Sequence, residues 1–305
     1  MFFESALQGK NVFWRYLIMF IAVFAATNTI GALPLITVIV IKGLNNPEML
    51  NDVSDKLMEL SAYGIDPNTG LVLMLFPFII GIVTLYLLIR PLNGRPFISL
   101  FNGGGKIRWK KFFSSAFVWL FLMSIYLLFS ILTDPDNFEL NNVSVSLLWL
   151  IIIALLLVPF QASFEELLFR GYLMQGAGAW FRNKWMPLVI SSLLFGLMHS
   201  FNPEIKEFGF WLVMPQYVVF GLVFGLITIL DDGIEMAMGA HTANNIFLSV
   251  FLTQESSALQ TPALFEQQEV YPWTDFLSLI LISGIFIMLM WIMNKWRFKD
   301  VFRFN

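Results

Sequence analysis

The chain has no cysteine, only two histidines, and only 13% charged residues among 305. Without cysteine there is no disulfide, no thiolate metal site and no thiol nucleophile. A soluble domain carries roughly a quarter charged residues, so about half of the usual charge is missing. The net charge of −3 offers no electrostatic footprint for nucleic acid, and no such partner is expected. The start, MFFESALQGKNVFWRYL, lacks a short apolar stretch with a small-residue cleavage site, so no removed signal peptide is expected. Repeats, low-complexity tracts and a soluble domain are also absent from the pattern.

What is present is apolar. Hydrophobic residues make up 58% of the chain, with a mean hydropathy of +0.74. That is more apolar surface than a water-soluble fold can bury, and lipid is the solvent it suits. Eight apolar stretches, each about 20 residues or longer, lie near 13–42, 71–90, 112–132, 144–176, 185–201, 209–230, 235–253 and 275–294. The short alternating strands of a membrane barrel are not seen. The expected fold class is therefore all-α, a polytopic bundle of about eight transmembrane helices. Three regions are expected: 1–142 with three helices, 143–253 as a membrane core, and 254–305 as a loop plus the last helix. The loops 43–70 and 254–274 are the longest and are expected to form lids or short surface helices.

The cations orient this bundle. All of the 18 Lys and Arg residues except Lys42, Lys56 and Lys206 fall on one side of an eight-span arrangement. The opposite loops carry Glu48, Asp52, Asp55, Glu59 and Asp66, then Asp134, Asp136 and Glu139. The positive-inside rule then places both termini in the cytoplasm, in a cell membrane. One loop on the basic side, Asp231-Asp232-Gly233, carries no cation and runs against this pattern.

Ionisable groups in the hydrocarbon region cost at least about 2.5–3.5 kcal/mol each on insertion scales, so each asks for a reason. Here they fall into three groups. The first is Phe164-Glu165-Glu166-Leu167-Leu168-Phe169-Arg170. Glu166 and Arg170 are four apart on one helix face and able to pair, whereas Glu165 points about 100° away and is free to face a cavity. The second is Phe195-Gly196-Leu197-Met198-His199, and the third is His241-Thr242-Ala243-Asn244-Asn245, with Asn245 one turn beyond His241. A long fourth helix reaching about Gly176 puts Glu165 roughly 16 Å from its end. His199 then lies roughly 20 Å into the fifth helix, and His241 roughly 10–14 Å into the seventh. All three then share one depth.

In this order the three groups resemble the CPBP family of membrane proteases, which includes the type II CAAX prenyl endopeptidases. The family pattern E-E-x-x-x-R, F-x-x-x-H, H-x-x-x-N is met at Glu165, Glu166 and Arg170, at Phe195 and His199, and at His241 and Asn245. The likeness covers about residues 143–253. It implies an intramembrane endopeptidase acting on membrane-associated peptides, either prenylated CAAX-type or amphipathic. Glu165 would be the general base, His199 would hold the water, and His241 with Asn245 would form an oxyanion hole. Glu166, Arg170 and Phe195 would support them.

A zinc-assisted version, with Glu165, His199 and His241 as ligands, uses the same residue types. The metal-free version is preferred because asparagine is a poor zinc ligand, and it requires no cofactor. The charge map leads to an active site opening to the cytoplasm. An ion-coupled transporter and a non-catalytic immunity or scaffold protein are the alternative functions.

Overall fold

The computed structural model describes residues 1–46 and 60–296. Glu48, Asp52, Asp55, Lys56 and Glu59 of the acidic loop, and Arg297, Lys299 and Arg303 of the basic tail, lie outside the described residues. The protein is an integral membrane helical bundle with one small sheet.

Each apolar stretch is a helix: α1 Phe13–Asn45, α2 Pro67–Asn93, α3 Trp109–Thr133, α4 Val145–Phe181, α5 Trp185–Met198, α6 Phe210–Asp231, α7 Glu235–Val250 and α8 Pro272–Asn294. Among the described residues, six of these are long and apolar enough to span a bilayer. The other two, α5 with 14 residues and α7 with 16, are shorter than the full spans expected. The 14 residues of α5 rise only about 21 Å, less than the ~30 Å hydrocarbon core. Pro203 disfavours helical backbone at Asn202, and His199 already sits at the helix end with φ −93° and ψ 5°. Helix α7 is short for another reason: every residue from 235 to 244 is buried, so it is an interior rod and not a lipid-facing span. Its Gly239 packs on the backbone of Phe112, and Ser115 Oγ donates to the Met236 carbonyl at 2.8 Å, bringing α3 and α7 close.

Local chemistry explains the irregular turns. In α1 the Thr27, Asn28 and Thr29 side chains donate back to the carbonyls of Val23, Phe24 and Ala25, within a π turn over Thr27–Gly31. Helix α2 starts on Asp66, whose carboxylate accepts from the Thr69 N–H at 3.0 Å, and stops at Gly94 with φ 73°. Helix α4 carries a second π segment, Leu167–Met174, immediately after the two glutamates.

The loops gather at two ends. One holds the N-terminus, the segment 94–108, the α4–α5 turn and the α6–α7 turn. Here Asp231 meets Arg108 at 3.0 Å and Lys111 at 2.9 Å, while Asp232 accepts from the Phe2 N–H at 2.7 Å. Asp231 of the acidic turn that ran against the charge pattern is therefore paired with Arg108, just before α3, and with Lys111 in its first turn. The other end holds a three-stranded sheet: β1 Phe138–Leu140, β2 Leu252–Thr253 and β3 Phe265–Gln267 in the order β1-β3-β2. Strand β3 runs antiparallel to β1 and parallel to β2. The loop 254–274 therefore contributes a strand and folds over this end.

Candidate active site

Helix α4 presents Gln161, Glu165, Glu166 and Arg170, the end of α5 presents His199, and α7 presents His241 and Asn245. The fourth helix runs to Phe181, as the depth argument requires, so Arg170 lies inside it. Glu166 and Arg170 are fully buried and paired, Nη1 to Oε1, at 2.8 Å. The same Glu166 oxygen lies 2.9 Å from His241 Nδ1, a contact that spacing along one helix does not reveal. Arg170 also donates to the Gly221 carbonyl at 3.2 Å and lies 4.5 Å over the Phe195 ring. Burying an ion pair is costly unless the remaining lone pairs and protons find partners; this one has a histidine, a carbonyl and an aromatic face, while Glu166 Oε2 and Arg170 Nε are buried without a hydrogen bond.

Glu165 faces the histidines. Its Oε1 accepts from Gln161 Nε2 at 3.0 Å. Its Oε2 is buried without a hydrogen bond, 3.9 Å from His199 Nε2 and 3.7 Å from His241 Nε2. Both imidazoles are fixed by their other nitrogen. His199 Nδ1 lies 2.7 Å from the Phe195 carbonyl, which can only accept, so this nitrogen carries the proton. His241 Nδ1 faces the Glu166 carboxylate in the same sense. In their neutral forms both Nε2 atoms are then acceptors, and both lie within 4 Å of Glu165 Oε2. Phe195 supports both rings, at 4.7 Å from His199 and 5.9 Å from His241. Tyr217 stacks on His199 at 4.3 Å, and Phe224 stacks on His241 at 5.1 Å.

All seven residues singled out from the sequence therefore meet in one place. Gln161 was missed, although it stands one helical turn before Glu165 and binds both Glu165 and Asn245. Tyr217 and Trp119 were missed as well. Each is one aromatic among many in an apolar helix and carries no sequence signal.

The donor types suit zinc, with each Nδ1 held by an acceptor as in many zinc–histidine sites. Among the described residues no group of three or more His, Asp or Glu side chains is placed to hold a metal ion.

A cavity of about 470 Å³ extends from Gln161, His199, His241 and Asn245 to Asp134, Glu204 and Tyr271. It runs toward the end that carries the sheet, away from the basic end. The cavity lining therefore lies with the sheet-bearing end and not with the basic end on which the opening was expected. Charge counts in loops report how a chain is inserted, whereas the opening is set by where helices end and diverge. Here α5 stops at Met198, and the chain beyond it forms cavity wall through Asn202 and Glu204. Glu204 accepts from the Ala258 N–H at 2.9 Å, and burial raises its carboxyl above the usual range.

Residues 144–247 match the family described as Type II CAAX prenyl endopeptidase Rce1-like. That match bears out the resemblance read from the three motifs and supports a membrane protease at the level of the family. The chain is also 29% identical over 286 residues to the uncharacterized protein YyaK of Bacillus subtilis (strain 168), covering 93% of each chain. No solved structure matches.

Proposed function

We propose, taking the similarity of residues 144–247 to the Rce1-like endopeptidases as premise, that this chain is an intramembrane endopeptidase in which Glu165 activates a water molecule. The observation that carries the reading is that Glu165 Oε2 lies 3.9 Å from His199 Nε2 and 3.7 Å from His241 Nε2, directly behind the two histidines that line the cavity. A water molecule suits Glu165 and His199 because it brings two donor hydrogens and keeps a lone pair for attack.

In this reading the water oxygen bonds to the scissile carbonyl carbon while Glu165 takes a proton from it. His199 holds the second hydrogen. The oxyanion forms beside Asn245, whose Nδ2 donates, and beside His241, which enters the step as an imidazolium with Nδ1 on the Glu166 carboxylate and keeps its proton while Nε2 donates to the oxygen. The tetrahedral intermediate then breaks its C–N bond, and Glu165 returns its proton to the leaving amine.

The substrate class is a membrane-associated peptide with a lipidated or apolar segment. The cavity offers Trp119, Leu127, Phe220 and Leu279 beside its polar floor. With the basic end in the cytoplasm, the peptide reaches the site from the opposite face.

The test compares membrane peptides from cells carrying the wild type, Glu165→Ala or His199→Ala, followed by assay of purified protein on the peptides that change. Loss of cleavage by about 10²–10⁴-fold in each variant, with folding retained, is the expected result. Cleavage that survives both changes in folded protein would falsify the peptidase reading.

A further inference from the structure

We infer that Trp119 of α3 is a positioning residue: through a directed chain of hydrogen bonds it orients the donor end of Asn245 and leaves one oxygen of Glu165 facing the histidines. The inference rests on the peptidase reading above.

The chain has four bonds. Trp119 Nε1 donates to Asn244 Oδ1 at 3.2 Å, and Asn244 Nδ2 donates to Asn245 Oδ1 at 3.0 Å. Asn245 Nδ2 donates to Gln161 Oε1 at 2.9 Å, and Gln161 Nε2 donates to Glu165 Oε1 at 3.0 Å. An indole N–H can only donate, and a carboxylate can only accept. Between these two ends stand three amides, each with a donor side and an acceptor side. Rotating one amide would set N–H against N–H on one flank and oxygen against oxygen on the other. Rotating all three would set the Asn244 amine against the indole N–H and the Gln161 carbonyl against the carboxylate. The ends therefore fix every amide between them.

Two consequences reach the chemistry. Asn245 lines the cavity, and its amide nitrogen carries a second hydrogen beyond the one given to Gln161. An Asn245 turned the other way would present a carbonyl oxygen to the developing oxyanion and oppose it. At the far end, Gln161 occupies Oε1 of Glu165, so Oε2 is the oxygen that faces His199 and His241. The indole that sets this polarity is fully buried and held by packing, edge-on to Phe286 at 5.0 Å and tilted against Phe224 at 5.7 Å. It comes from α3, outside residues 144–247, so the half of the chain without motifs contributes to the arrangement of the site.

Trp119→Phe keeps an aromatic ring and removes the N–H together with the five-membered ring that carries it, so the double-variant comparison below separates lost packing from the lost donor. The experiment assays wild type, Trp119→Phe, Asn245→Ala and the double variant in proteoliposomes, on a peptide that wild type cleaves and Glu165→Ala does not, with melting temperature as folding control. A loss of kcat of about tenfold with KM within about twofold is expected for Trp119→Phe, the cost of one misdirected donor. In the Asn245→Ala background the same change should cost nothing further, because the group it orients is gone. Should Trp119→Phe fail to fold, Asn244→Asp replaces it: the aspartate still accepts from the indole but has nothing to donate to Asn245, and the same loss is expected. Wild-type kcat in Trp119→Phe, or an equal cost in both backgrounds, overturns the proposal and reduces Trp119 to packing. A wild type that cleaves no peptide in a Glu165-dependent way removes the peptidase reading, and this role with it.

Discussion

His241 Nδ1 stands 2.9 Å from Glu166 Oε1, so the second glutamate of the pair serves a histidine on α7 as well as Arg170 on its own helix. One carboxylate oxygen thereby joins the ion pair of α4 to the imidazole that lines the cavity. Glu166 supports His241, and Glu165 is left to face it from the other nitrogen.

This contact makes the ion pair a stability element with a distinct signature. Glu166→Ala leaves Arg170 charged and fully buried, and should cost about 3–5 kcal/mol. Replacing both residues by Met removes the charge and the demand together, and should recover most of that loss. Cleavage should stay absent in both, because His241 loses the carboxylate on Nδ1. Unfolding in detergent alongside the cleavage assay measures both effects. A double-Met protein as unstable as Glu166→Ala would contradict the ion-pair account.

Water activation by Glu165 leads to a second expectation, that catalysis survives chelation. Purified protein dialysed against a strong chelator should keep its turnover, and elemental analysis should find less than one zinc per chain. Activity that falls on chelation and returns with zinc would replace water activation by Glu165 with metal assistance.

The direction in which the cavity opens is testable because the chain has no cysteine of its own. Glu255 and Lys106 are both exposed, one in the loop near the cavity and one at the basic end. In intact cells a membrane-impermeant maleimide should label Glu255→Cys from outside, and Lys106→Cys only after permeabilisation. The reverse pattern would put the cavity in the cytosol and set the positive-inside assignment aside.

Glu204 ties the α5–α6 segment to the loop at Ala258 and lines the cavity wall. Its pKa is raised from 4.5, chiefly by burial, so the folded state holds the proton to higher pH than the unfolded chain does. Its contribution to stability is then complete below about pH 4.5 and fades as pH rises through the folded-state value. Melting temperatures of wild type and Glu204→Gln across this range should diverge toward neutral pH, with the glutamine variant the more stable. Parallel curves would show that this carboxyl is not coupled to folding.

The helix positions were legible because spanning helices write their length directly into the sequence as apolar runs, and each of the eight runs is a helix. Two of them, α5 and α7, are shorter than the runs suggest. In α7 the runs of small and polar residues, Gly239-Ala240-His241-Thr242, mark a helix surrounded by protein, yet average hydropathy over a window hides this. In α5 the stop is local, at His199 and Pro203, and the apolar run continues past it only in composition. The pairing of Glu166 with Arg170 was legible because both partners ride one helix four residues apart. The contact of Glu166 with His241 was not, since it depends on how α7 packs against α4.

By itself the sequence determined the solvent of this protein, its helical class and the seven side chains that meet in its interior. Unpaired polar groups are too costly in lipid to be scattered at random, so composition and spacing expose them. Tertiary structure alone decided which oxygen of Glu165 faces the histidines, that Trp119 and Gln161 belong to the same network, and toward which end the cavity runs. Those are matters of direction between helices far apart in the chain. Direction is set by packing and by hydrogen bonds that have a donor and an acceptor end, and neither leaves a periodic trace in a single sequence.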